Sequence, residues 1–288
     1  MKPLRYASIL GFTVALAMAG LAFDQGHRLT YKNPATNPRI QVEGDNGFVE
    51  PEKTFELSGN VLIKQNEQKL TVTCAKAVGD FVKVDKKTDV DNVHLTGGVR
   101  AEQIGKKGKT IATGNKADYG IKGALRYLNL TGSVRVDFAG SEEVEEKPGQ
   151  KSTKTSNTVF TASAGELTFQ KVKGSDGNET YEVQTADVTG PIQFDGTQVT
   201  TTGGKTTHQK LSVSAKRLTF ERKDGGAEIK LSGDLVIHQE DDGEGPEITG
   251  AQTLVATLNE KNEIVKLVFS SEGIGKIKTV YKGGKGGE

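Results

Sequence analysis

LTGSVRV, residues 130–136, places a glycine in the middle of an otherwise strand-like run. The phrase recurs as LSGNVLI at 57–63, LTGGVRA at 95–101, VTGPIQF at 188–194 and LSGDLVI at 231–237. Five copies of one phrase make an internal repeat. Its glycines, Gly59, Gly97, Gly132, Gly190 and Gly233, lie 38, 35, 58 and 43 residues apart. Residues two apart share a face of an unbroken strand. By that count Leu128, Leu130, Gly132, Val134 and Val136 face one way, and every copy puts its glycine on the apolar, inward face unless a bulge intervenes. Glycine inside a strand costs about 0.5–1 kcal/mol relative to alanine. Five repetitions therefore point to a bend between sheets, alone or with room for a ligand on the apolar side.

Each copy is followed by a second phrase that starts as a Thr- or Ser-rich alternating strand: LTVTCAKAVGDF from 70, KTIATGNKADYGI from 109, NTVFTASAGELTF from 157, QKLSVSAKRLTFE from 209 and PEITGAQTLVATL from 246. Apolar parity switches inside two of them. Phe160 and Ala162 are even while Leu167 and Phe169 are odd; Val213 and Ala215 are odd while Leu218 and Phe220 are even. A bulge or corner does this to a strand. Polar clusters such as Lys223-Asp224-Gly225-Gly226 separate the alternations and read as turns. Residues 140–158, rich in charge and containing Pro-Gly, read as a loop insertion that lengthens one repeat and could mark a half boundary. Residues 281–288, ending in a Gly-Lys tail, read as disordered. No segment past the N-terminus sustains a helical period. The expectation is an all-β chain with about two long strands per repeat over 38–280.

Thirty-eight basic residues nearly cancel 37 acidic ones, so there is no electrostatic footprint for nucleic acid. At 34% hydrophobic, with no Trp, the composition suits thin, extended β structure better than a thick globular core. Lys2 and Arg5 precede an uncharged apolar run, 7–23, with small residues at Ala17-Met18-Ala19 and Gly20-Leu21-Ala22. Residues 1–22 thus read as a cleaved signal peptide or a retained N-terminal anchor. In either case the rest is exported, and any membrane contact runs through this segment alone. Cys74, the single cysteine, alternates with Thr71 and Thr73 and reads as a small buried hydrophobe.

The sequence offers no catalytic constellation. His27, His94, His208 and His238 form no pair at a metal-ligand spacing. Gly203-Gly204-Lys205-Thr206 lacks the leading glycine of a phosphate loop, since position 199 is Val199. The expectation is a protein that is not an enzyme and holds no metal and no cofactor.

The repeated strand ending in an apolar residue, Ser or Thr, and Gly, followed by a strand passing through Ala, resembles the OstA-like family of lipopolysaccharide-transport proteins. LSGNVLIKQ from 57, TIATGNKADYG from 110 and LNLTGSVRVDF from 128 carry the resemblance, which spans about 38–280. It implies an elongated β-jelly roll of two facing sheets with an apolar interior, located in the periplasm. Lipopolysaccharide or a related lipid would be carried there from inner to outer membrane. Its partners would be other jelly-roll components of the export bridge, stacked end to end. The chain's length and the 140–158 segment leave the bridge protein and the anchored component both open. Under this reading the acyl chains lie along Gly59, Val61 and Ile63; Gly97, Val99 and Ala101; Gly132, Val134 and Val136; Gly190, Ile192 and Phe194; and Gly233, Leu235 and Ile237. Lys64, Arg100 and Arg135 are candidates near lipid phosphates, against a solvated outer face that alternation favours. The alternative is a structural or scaffold β-solenoid of the cell envelope that binds no lipid.

Overall fold

The computed structural model describes residues 21–23, 29–33, 40–66, 69–84, 87–105, 108–147, 150–173, 179–259, 264–271 and 278–282. Most of the proposed signal or anchor, 1–20, lies outside them, as does 283–288. Four short strands come first: β1 (Leu21–Phe23), β2 (Leu29–Asn33), β3 (Ile40–Gly44) and β4 (Asn46–Glu50). Ten longer ones follow: β5 (Thr54–Gln65), β6 (Leu70–Val84), β7 (Lys87–Ile104), β8 (Gly108–Lys122), β9 (Leu125–Lys147), β10 (Gln150–Lys173), β11 (Glu179–Thr202), β12 (Lys205–Lys223), β13 (Gly226–Asp241) and β14 (Gly245–Asn259). β15 (Ile264–Ser270) and β16 (Lys278–Lys282) end the series. All pair antiparallel, each long strand with its neighbours in sequence, in one hydrogen-bonded sheet. β3 and β4 share the outer edge of β5, and β15 and β16 share that of β14. The all-β expectation holds, and in hydrogen-bonding terms there is one sheet. Short connections make this topology easy: Gly203 and Gly204, with φ of 56° and 82°, form the two-residue turn between β11 and β12.

Two sequence expectations need correction. Residues 140–158 are not a loop. Residues 140–147 continue β9 and 150–158 begin β10, and Glu142, Glu143 and Glu145 stand opposite Lys154, Thr153 and Lys151. Opposite charge and hydroxyl groups across a ladder stabilise a polar hairpin without any apolar alternation. The tail is shorter than expected, since Tyr281 and Lys282 pair with Pro246 and Gly245 in β16.

A line of bulges crosses the sheet at the repeat glycines. Ser58 and Val61 pair with Lys76 and Cys74, so Gly59 and Asn60 oppose the single residue Ala75. The same two-against-one arrangement sets Gly97-Gly98 against Asn115, Gly132-Ser133 against Ser163, Gly190-Pro191 against Lys216 and Gly233-Asp234 against Gln252. In four copies both bulged residues have positive φ, for example 75° at Gly132 and 53° at Ser133; the fourth copy has a cis Gly190-Pro191 peptide instead. The pair keeps the apolar parity of β5, β7, β9, β11 and β13: Leu57 and Val61 are both buried. The opposing strands instead switch parity, Cys74 to Ala77 on β6 and Ala215 to Leu218 on β12. The parity switches read in the sequence are these bulges.

The placement of the glycines is corrected with them. They do not face inward. Gly97 is exposed, and Gly59, Gly132, Gly190 and Gly233 are half-buried at the bulges. The bulge breaks the count by twos. A Cβ on Gly97 would lie 2.4 Å from the Ala75 Cβ, and one on Gly132 would lie 2.6 Å from the Asn115 amide nitrogen. Positive φ and a neighbour's side chain both demand glycine here.

The bulge line divides the sheet into a first half, which holds Phe55 and Leu57, and a second half, which holds Val61 and Ile63. Buried residues of both halves form one hydrophobic cluster. Tyr31, in register with Val42 and Ile63 of the second half, stacks on Phe81 of the first, with ring centroids 4.8 Å apart; Phe55 lies 5.3 Å from Phe81.

Candidate functional site: an apolar cleft at mid-sheet

Tyr31, Phe55 and Phe81 pack on one another at the N-terminal end of the core, whereas the phenylalanines of its middle stand apart among smaller apolar residues. Leu128, Leu130, Leu167, Phe169, Val188 and Phe220 of the first half line a cleft there with Ala112, Val134, Val136 and Phe160 of the second. Val183, Ala186, Leu218 and Gly165 complete the wall, so every lining residue is apolar. The space measures about 70 Å³ by the centres of water-sized spheres, against the roughly 10–15 Å³ that one water needs. An apolar cavity gives water no hydrogen-bond partners, so it favours hydrocarbon. Local sequence builds it: alternation on β9 aims Leu128 and Leu130 inward, the bulge restores parity, and Val134 and Val136 follow.

Of the residues expected to hold acyl chains, Val134 and Val136 line this cleft. Val61, Ile63, Val99, Ile192, Leu235 and Ile237 are buried in the same core without lining it, and Ala101 and Phe194 are half-buried against it. The five glycines lie outside, at the bulges. Most of the lining comes from residues that the sequence reading did not single out: the apolar positions of the first half. Their signal was present, since Leu128 and Leu130 share the face of Val134 and Val136, and Leu167, Phe169, Leu218 and Phe220 follow a parity switch.

The wall is electrically quiet. Lys64, Arg100 and Arg135 alternate with inward residues and point outward, where Arg135 donates to Asp137 at 2.6 and 2.9 Å and Arg100 to Glu102 at 3.2 Å. Asp137 holds the exposed Arg135 guanidinium above its ordinary pKa. Arg126 and Asp89 are the buried charged residues among those described, each about 5% exposed or slightly more. Arg126 shares the inner face of Leu128, is in register with Phe169 and donates to Asp89 and to the Tyr119 hydroxyl. Burial works to lower the pKa of Arg126, but the hydrogen bond to Asp89 and the field of Tyr119 outweigh it and hold it raised. Cys74 is buried as expected, and burial pushes its thiol up to about 11, which suppresses thiolate chemistry at neutral pH.

Among the described residues no cluster of His, Cys, Asp or Glu could hold a metal, and no helix is long and apolar enough to cross a membrane. Compared with known proteins, the chain matches no family model, no curated protein and no solved structure.

Proposed function

We propose that the protein binds a lipid of the lipopolysaccharide class and carries it across the periplasm, with acyl chains held in the apolar cleft. In this reading the sheet folds along the bulge line into two facing halves, a jelly roll, and the chains lie between them. The cleft carries the proposal: residues of both halves converge on one space that offers no polar partner. Each CH₂ moved there from water contributes about 0.8 kcal/mol. The protein acts by binding and not by catalysis. Its localisation rests on the export signal read at 1–22.

Partners of like fold would join end to end at the sheet edges. β4 and β15 are the outermost strands of the first half among the described residues, and Phe48, Val265 and Val268 are exposed on them. Unpaired backbone beside exposed apolar side chains suits strand addition. The stacked Tyr31, Phe55 and Phe81 favour a second reading, a scaffold with a filled interior, at the N-terminal end only. A photo-crosslinking residue at Leu167, on the cleft wall, is expected to capture lipopolysaccharide in cells, and one at outward Val236 is not. Equal capture at both sites, or none at Leu167, supports the scaffold.

A further inference from the structure

The interior changes character at one level of the second half. Strand register defines rows across the inner face. The row through Ile63, Val72, Ala101, Ala112, Val136 and Phe160 is wholly apolar and continues through Phe194, Val213 and Ile237. The next inward row, two residues farther from the bulge line, carries Gln65, Gln103, Thr110, Thr158 and Gln239, with Leu70, Phe138, Gly196 and Leu211 between them. Its five polar side chains are amides and hydroxyls, without a charge.

Two atoms in that row stand out. Gln65 is 2% exposed and Thr158 6%, yet Gln65 Oε1 and Thr158 Oγ1 have no hydrogen-bond partner among the described residues. A buried polar atom left unpaired is destabilising, and a ligand group that pairs with it removes that cost. Thr158 lies two residues from the cleft-lining Phe160, about 7 Å along the strand. Its neighbour on β11 is Gly196. The Phe194 ring of the same strand lies above that glycine, 3.1 Å from where a Cβ would stand, with the Thr158 hydroxyl oxygen 3.8 Å from the same point. The ring offers that oxygen no hydrogen-bond partner. Farther out, amides and hydroxyls continue: Gln198 donates to Thr200 Oγ1 at 3.3 Å and to Gln209 Oε1 at 3.5 Å, and the Ser152 and Thr202 hydroxyls are 2.6 Å apart. The charges at this level face opposite ones or amides. Lys154 stands across from Glu142, and Asp241 accepts from Gln209 at 2.8 Å.

We infer that this row, Thr158 above all, binds the uncharged linkage of an amphiphile, the ester, amide or hydroxyl groups where chain meets head. The chain then runs over Phe160 into the cleft. This rests on the reading that an acyl-chain lipid occupies the interior. Neutral donors and acceptors match such groups, and they would leave a phosphate or an ammonium unneutralised.

Three probes with one C12 chain test the inference: monolauroylglycerol, dodecyl phosphate and dodecyltrimethylammonium. Each is titrated against the full chain holding the fluorescent apolar probe N-phenyl-1-naphthylamine. Monolauroylglycerol is expected to bind at least about tenfold tighter than the other two. Thr158→Val, nearly isosteric, is expected to weaken it about five- to tenfold, the size of one hydrogen bond, and to leave the charged probes unchanged. Thr158→Ser keeps the hydroxyl and is expected to keep the preference; circular dichroism checks that both variants fold. Equal affinity for all three heads, or an equal loss for all three in Thr158→Val, overturns the linkage site while lipid binding stands. Failure of every C12 probe to displace the dye overturns lipid binding itself, and the linkage site with it.

Discussion

At the scale of the residue, Gly132 shows why the repeat keeps its glycine. The backbone there has φ of 75°, and an added Cβ would fall 2.6 Å from Asn115 Nδ2 and 2.8 Å from its Cβ. The left-handed conformation alone costs an L side chain about 1–2 kcal/mol, and the contact adds to it. Gly132→Ala is expected to lower the unfolding free energy in urea by about 2–3 kcal/mol. Asn115→Gly in the same chain should return the part due to contact and leave the part due to φ. A loss under 0.5 kcal/mol would show that the bulge relaxes at no cost. Second bulge positions serve a different end. The Asn60 amide donates to Asp45 at 2.7 Å, and Asp234 pairs with Lys216 and accepts from Gln252 at 3.2 Å. These side chains tie the corner of one strand to the next.

At the scale of the element, β7, β8 and β9 meet through a buried polar cluster. Asp89 accepts from Arg126 and from the Val90 backbone N–H at 2.9 Å, and Arg126 also donates to Tyr119. Removing one partner of a buried pair strands the other charge, at about 3–5 kcal/mol, while replacing both with apolar residues costs far less. Asp89→Ala is therefore expected to lower the unfolding free energy by about 3–5 kcal/mol. Asp89→Leu combined with Arg126→Met should cost much less than the single change. Equal costs would show that the pair matters for packing alone. The polar hairpin of β9 and β10 also belongs to this scale. Its sequence lacks alternation because neither face of its outer part meets the apolar core, so a rule based on hydrophobic period reads it as loop. Pairing partners supply what the period does not.

At the scale of the whole molecule, the sheet has ends. Val265 is 61% and Val268 45% exposed on β15, and Phe48 is 51% exposed on β4. Lys266 on β15 and Glu50 on β4 guard these edges only in part, and an edge strand that exposes apolar residues recruits further strands. Sedimentation velocity is expected to show concentration-dependent association of the full chain, reduced by Val268→Lys together with Phe48→Lys. Association that is unchanged in that variant would place the contact elsewhere. The same scale explains the cleft. At one end of the core Tyr31, Phe55 and Phe81 pack ring against ring, while in the middle Phe160, Phe169 and Phe220 stand among Val, Leu and Ala and border a space they do not fill.

The sequence by itself determined the repeat, the strands outside residues 140–158, the parity switches and the apolar inward positions. Those follow from period, parity and turn chemistry, which are local. LTGSVRV announced a bend at residue 132 and named Val134 and Val136 as inward. It could not announce that the glycine itself turns outward, because a two-residue bulge rotates the backbone through φ values that no count by twos contains. Nor could it select the cleft from the other buried rows. Leu130 and Leu57 occupy the same place in their repeats, and of the two it is Leu130 that lines the cleft. That choice depends on which side chains of the other half border the same space, as Ala112, Val136 and Phe160 do at the cleft. The match is set across strands far apart in the chain, so only the tertiary structure decided it.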